Sequence, residues 1–372
     1  MSVLPFARVS RPIFIIHRYI TSPLRTAQRT LPICQHASRS RSRSLRTARA
    51  MAIPQLAAWG PSIKDHADPT FALYFPLLAQ KVTEGAFLEP TEHRYGPLER
   101  HAYDVYLPPG AHAGGKDKLP TIVFVHGGGM VQGDKQIKES KGGAHRNIGT
   151  FFAHKGYMVV SIRPARPAKL RPKPWQIIPN YRLRYPDPSS PLYSTPNNAT
   201  FPSGGTDIAL LLRHINSPAC HIHHKITPRN LTLIGNSAGA CHVATYLYRD
   251  AIPSFEDACA PLVSDPTNQP GLEELKPSAA MLIGMPAHFR LATPDRSAAL
   301  FGYHCPELFG TAGAQEEEMR RVVEERCPIG LRKRSADRTR VGTMLAELDP
   351  EPEIAAPVSP PPGPSLRRIA YQ

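Results

Sequence analysis

Apolar and polar positions fall into short blocks along this chain. Residues 102–107 alternate apolar and polar side chains and stop at Pro108-Pro109, as a half-buried strand would. Residues 121–125, 157–162, 231–235 and 280–285 are near-continuous runs rich in Val, Ile and Leu, which predicts strands covered on both faces. Residues 341–348 make one more such run. Helical spacing occupies residues 146–154, 206–215, 238–248, 294–301 and 315–325. In the second of these, Ile208, Leu211, Leu212 and Ile215 share one side. Strands alternating with helices predict an α/β domain on a mostly parallel sheet with helices on both faces. It should begin near residue 85 and run to residue 354.

Two glycine motifs sit directly after predicted strands. Gly235-Asn236-Ser237-Ala238-Gly239 fits G-x-S-x-G between the strand at 231–235 and the helix at 238–248. A serine that must project from the end of a sheet needs a sharp turn. Side chains in place of the flanking glycines would meet the neighbouring strand and helix. The following helix start brings N–H groups and a positive dipole end beside the serine oxygen. His126-Gly127-Gly128-Gly129-Met130 follows the strand at 121–125. Consecutive glycines let backbone N–H groups reach a substrate oxygen without a Cβ in the way. Such donors stabilise the oxyanion of acyl transfer, each by about 3 kcal/mol. Neither phosphate-loop pattern, G-x-x-x-x-G-K-[ST] or G-x-G-x-x-G, occurs here.

With these motifs in this order, residues from about 94 to 354 resemble the α/β-hydrolase family. The similarity is to its HGGG-loop branch of hormone-sensitive-lipase-like and fungal carboxylesterase-type enzymes. Gly133-Asp134-Lys135, Asn180-Tyr181-Arg182-Leu183, and Phe201-Pro202 leading to Asp207 add to the resemblance. It implies that Ser237 is the nucleophile, that Gly127, Gly128 and Ala238 supply oxyanion N–H groups, and that His126 braces its loop. The family's order of Ser, acid, His implies Asp349 as the acid, with Glu353 a weaker choice. No cofactor or metal is implied.

The base is the departure. The last histidine is His304, so none follows Asp349. His242, His288 and His304 are the other histidines near this region, and each is expected to pack or lie at the surface. Without a triad base the chain is expected to be impaired, and an apolar strand at 341–348 would be left uncovered. A second departure is residues 163–178, basic and Pro-rich, where the family runs almost directly into its Tyr-Arg-Leu step. Both are read as gene-model errors. Residues 355–372 form a Pro-rich tail. Cys220-His221-Ile222-His223-His224 lacks standard zinc spacing and is read as a connector.

Charge then sorts the remaining segments. The 372 residues carry a formal net charge of +15. Residues 1–50 hold ten Arg with no Lys and no acid, and residues 163–178 hold five basic residues with no acid. The rest balances, so the basic character belongs to two segments and no nucleic-acid partner is expected. Residues 1–50 read as a mitochondrial transit peptide or as sequence upstream of a true start at Met51, which would leave a cytoplasmic protein. Residues 51–84 are an N-terminal extension, and no transmembrane segment is expected. The function expected is hydrolysis of carboxylic esters with small uncharged acyl groups, Met130 forming an apolar wall. A non-catalytic binding protein on the same fold, or an amide or formamide hydrolase, are the alternatives.

Overall fold

The structure is a computed structural model. It describes residues 63–109, 118–133, 137–163, 181–185, 189–191, 195, 197–217, 227–263, 273–289, 294–308, 316–336 and 340–344. All of these belong to one compact unit, residues 61–372.

Seven strands form one sheet. They are β1 (Thr91–Arg94), β2 (Ala102–Tyr106), β3 (Lys118–Val125), β4 (Met158–Arg163), β5 (Thr227–Asn236), β6 (Ala279–Ile283) and β7 (Arg340–Met344). Their spatial order is β1-β2-β4-β3-β5-β6-β7. β2 runs antiparallel to both its neighbours, β1 and β4, and every pairing from β4 to β7 is parallel. The predicted mostly parallel α/β architecture is therefore present. Each predicted strand starts within four residues of its expected position. β1, too short and polar to show a pattern, was not predicted.

The helices are α1 (Ile63–Thr83), α2 (Gly143–Ala153), α3 (Ser203–Ile215), α4 (Ala238–Leu247), α5 (Phe255–Val263), α6 (Pro294–His304), α7 (Glu316–Arg326) and α8 (Pro328–Arg334). Strand alternation explains the two layers. Ile122, Phe124 and Ile234 face Ile148 and Phe152 of α2. Val123, Val125, Leu231, Leu233 and Leu282 face the other way, into the main core with α3 and α4. Helices thus cover both faces. α3 is buried from Ser203 through Leu212, so its predicted apolar stripe understates its burial. The unpredicted α1 contains Pro69 and Pro76. It is held by the close approach of Gly143, where an added Cβ would lie 2.9 Å from Leu78 Cβ.

β3 and β5 are out of step by one residue between Pro120 and Ile122. Asn230 falls in this bulge with φ 46°. A left-handed residue is what a bulge of this kind needs, and Asn tolerates it better than a β-branched residue. The bulge sits at the N-terminal half of the strands. Beyond it, β3 and β5 run in register to Val125 and Gly235, so both glycine motifs emerge side by side at the C-terminal edge.

Candidate active site

Ser237 joins β5 to α4 with φ 52° and ψ −121°. A non-glycine residue at this φ is strained. Its N–H donates to Ile283 O at the end of β6, at 2.8 Å, and its own O accepts from Ala240 N at 2.9 Å. The turn is therefore fastened to the neighbouring strand on one side and to the helix on the other. A Cβ on Gly235 would lie 2.5 Å from Ala240 Cα, and one on Gly239 would overlap the carbonyl oxygens of Val125 and His126. The glycines on both sides of Ser237 are thus required by close backbone approach.

The glycine loop lies against this turn. A Cβ added to Gly127 would be 3.0 Å from Ser237 Cβ and 3.2 Å from Asn236 O. Gly128 has φ 141°, Gly129 φ 61° and Met130 φ 68°. The loop closes on itself by Gln132 N donating to Gly128 O at 3.0 Å. His126 is buried, and its Nδ1 lies 2.6 Å from Gly127 O. A carbonyl only accepts, so Nδ1 carries the hydrogen. Met130 is 1% exposed and sits in the main core. It packs with the core, and no open surface of it is available to line a substrate site in this structure.

Residues 181–185 run along the outside of the loop. The Tyr181 ring stacks on His126 at 4.8 Å and meets His242 edge-on at 4.2 Å. Tyr181 Oη donates to His126 O at 3.3 Å, and Arg184 N donates to Met130 O at 2.8 Å. Arg100 donates from Nε to Tyr181 O at 2.9 Å and from Nη2 to Gly133 O at 3.3 Å. Arg182 is held by buried Asp207: its N–H reaches Oδ2 at 2.8 Å and its Nε reaches Oδ1 at 2.9 Å. His101 Nε2 lies 3.3 Å from the same carboxylate. Burial alone would raise the Asp207 pKa. The Arg182 charge and the His101 contact outweigh it and hold the carboxyl well below the usual range.

His242, His288 and His304 each have other partners. His242 is buried in α4, its Nδ1 3.5 Å from Tyr303 Oη and its pKa pushed down by burial to about 3. His304 is buried in α6, where Nδ1 donates to Leu300 O at 2.8 Å, and burial takes it to about 3 as well. His288 is partly exposed and faces Glu324 Oε1 at 3.4 Å. Among the described residues, no side-chain hydrogen bond reaches Ser237 Oγ. Asp349, Glu353, Asp134, Lys135 and the Cys220–His224 run lie outside the described residues, as do residues 1–50, 164–178 and 355–372. The glycine motifs are visible in the sequence; Arg100 and His101 are not, because nothing in their local sequence marks their partners at residues 133, 181 and 207.

No protein-family model matches the chain, and no curated protein matches it. Solved structures do. Esterase B from Lactobacillus rhamnosis, inhibited by a tributyrin phosphonate, is 16% identical with a TM-score of 0.43; the match covers 75% of this chain and 73% of that one. A putative thioesterase from Silicibacter sp. is 17% identical, with a TM-score of 0.40 and coverage of 74% and 73%. A hyperthermophilic esterase from the archaeon Pyrobaculum calidifontis is 16% identical, with a TM-score of 0.35 and coverage of 70% and 69%. No helix among the described residues is long and apolar enough to cross a membrane.

Proposed function

We propose that this chain is a serine hydrolase of the α/β-hydrolase type, of the HGGG-loop branch, that cleaves carboxylic esters of small uncharged acyl groups. The observation that carries the reading is the contact between two strained turns. Ser237, at φ 52°, follows β5, and Gly127 packs against it from just past the end of β3. In this reading Ser237 Oγ attacks the ester carbonyl carbon. The Gly127, Gly128 and Ala238 N–H groups take the negative charge that develops on the carbonyl oxygen. The alcohol leaves with a proton, and water then releases the acid from the acyl-enzyme. Asp349 is assigned to orient a base. The attack also needs an acceptor for the Oγ proton, which the described residues do not place at Ser237.

The second reading is a non-catalytic α/β-hydrolase-like binding protein. A fluorophosphonate probe and a p-nitrophenyl ester separate the two. Covalent labelling on Ser237, ester turnover, and loss of both in Ser237→Ala are expected of the hydrolase. Folded protein that takes no label and turns over no ester would leave the binding protein. A parallel assay with an amide or formamide tests the nearest catalytic variant.

A further inference from the structure

We infer that Tyr181 is a positioning residue: its hydroxyl, by holding the His126 carbonyl, aims the Gly127 N–H that would face the oxyanion. The inference rests on the hydrolase reading for its purpose, but not for its geometry.

A peptide unit is planar and trans, so its C=O and N–H point in opposite directions. The N–H of Gly127 belongs to the unit whose oxygen is that of His126. Fixing that oxygen fixes the donor direction. The next unit is fixed in the same way, since His126 Nδ1 holds Gly127 O at 2.6 Å. Glycine at 127, 128 and 129 opens the approach to the serine but removes the Cβ atoms that restrict rotation. The loop therefore needs restraint from outside, and Tyr181 is placed to give it.

Tyr181 is itself immobilised. It is fully buried, and its ring is caught between His126 and His242. Arg100 holds its carbonyl, and Asp207 holds the next residue's N–H at 2.8 Å. Arg100 also reaches Gly133 O at 3.3 Å, so one guanidinium ties the far end of the loop to the segment that supports its near end. Burial raises the phenol's pKa, so the hydroxyl keeps its hydrogen at any working pH.

The test is Tyr181→Phe in the full chain, which deletes one oxygen and keeps the ring. Three quantities are read: hydrogen exchange of peptides covering 122–133, the rate of fluorophosphonate labelling at Ser237, and kcat and KM on a p-nitrophenyl ester. Faster exchange confined to that region is expected. Labelling and kcat should fall about 5-fold, the size of one lost neutral hydrogen bond, with KM within twofold. Arg100→Lys, which reaches only one of the two carbonyls, should give the same local pattern and serves if Tyr181→Phe does not fold. Unchanged exchange, or faster exchange spread over the whole domain, overturns the inference. If the wild-type chain takes no label while Tyr181→Phe still loosens only residues 122–133, the hydrolase reading fails and the positioning stands. If the wild type is labelled and Tyr181→Phe equals it in exchange and rate, the positioning fails and the hydrolase stands.

Discussion

Gly239 shows how one position can couple two motifs that are distant in sequence. It lies in the first turn of α4, yet its missing side chain makes room for the carbonyls of Val125 and His126 at the end of β3. Those carbonyls belong to backbone, so they cannot swing away as a side chain would. Gly239→Ala should destabilise the domain by about 2–3 kcal/mol, as overpacked substitutions do. It should also slow labelling of Ser237, because relief requires the glycine loop to move. Urea unfolding and labelling rate check this; a variant with wild-type values in both would mean that the two turns do not touch. The serine motif and its glycine spacing were legible in the sequence because the five residues directly follow an apolar strand run and precede a helical one, although the contacts that require the glycines reach outside the motif. The roles of Tyr181, which only the family resemblance marked, and of Arg100 were not. A phenol or guanidinium carries no mark of which carbonyl it will meet 55 or 81 residues away.

Among the elements, β3 and β5 were readable from continuous apolar runs, but their true lengths were not. Both begin earlier than the apolar residues do, and Pro120 lies inside β3. The bulge explains why this is tolerated: the ladder is already irregular between Pro120 and Ile122. Asn230 supplies the left-handed residue there. Asn230→Val would put a β-branched side chain at φ 46° and should cost about 1–2 kcal/mol. Asn230→Gly should be neutral or slightly stabilising. Denaturant midpoints of the two variants check the difference, and equal midpoints would refute a left-handed role. α1 escaped the sequence reading for the opposite reason. Its Pro69 and Pro76 argue against a helix, whereas its place depends on Leu78 meeting Gly143, a contact between distant segments that no periodicity encodes.

At the scale of the molecule, formal charge was legible as two basic segments, while the charges that shape the core were hidden by burial. His101, His145, His242 and His304 all have pKa values lowered by burial, the last two to about 3. An unfolded histidine titrates near 6.5. Between these values the unfolded chain binds more protons than the folded one, so stability falls as pH drops below about 6.5. Each fully shifted imidazole contributes a slope of about 1.4 kcal/mol per pH unit. Asp207 acts in the same direction but lower down. Its folded pKa is depressed, so its contribution is complete above the unfolded value near 3.8 and is lost only as pH falls below it. Acid unfolding should therefore start well above the carboxylate range. His304→Asn keeps a donor for Leu300 O and removes one titrating ring. It should lower the slope of unfolding free energy between pH 6 and pH 4.5 by about one proton, roughly 1.4 kcal/mol per pH unit. Urea melts of both chains across that range measure the slope directly. An identical slope in the variant would mean that His304 takes up its proton in the folded state, and that the core around Tyr303 and Phe289 admits charge.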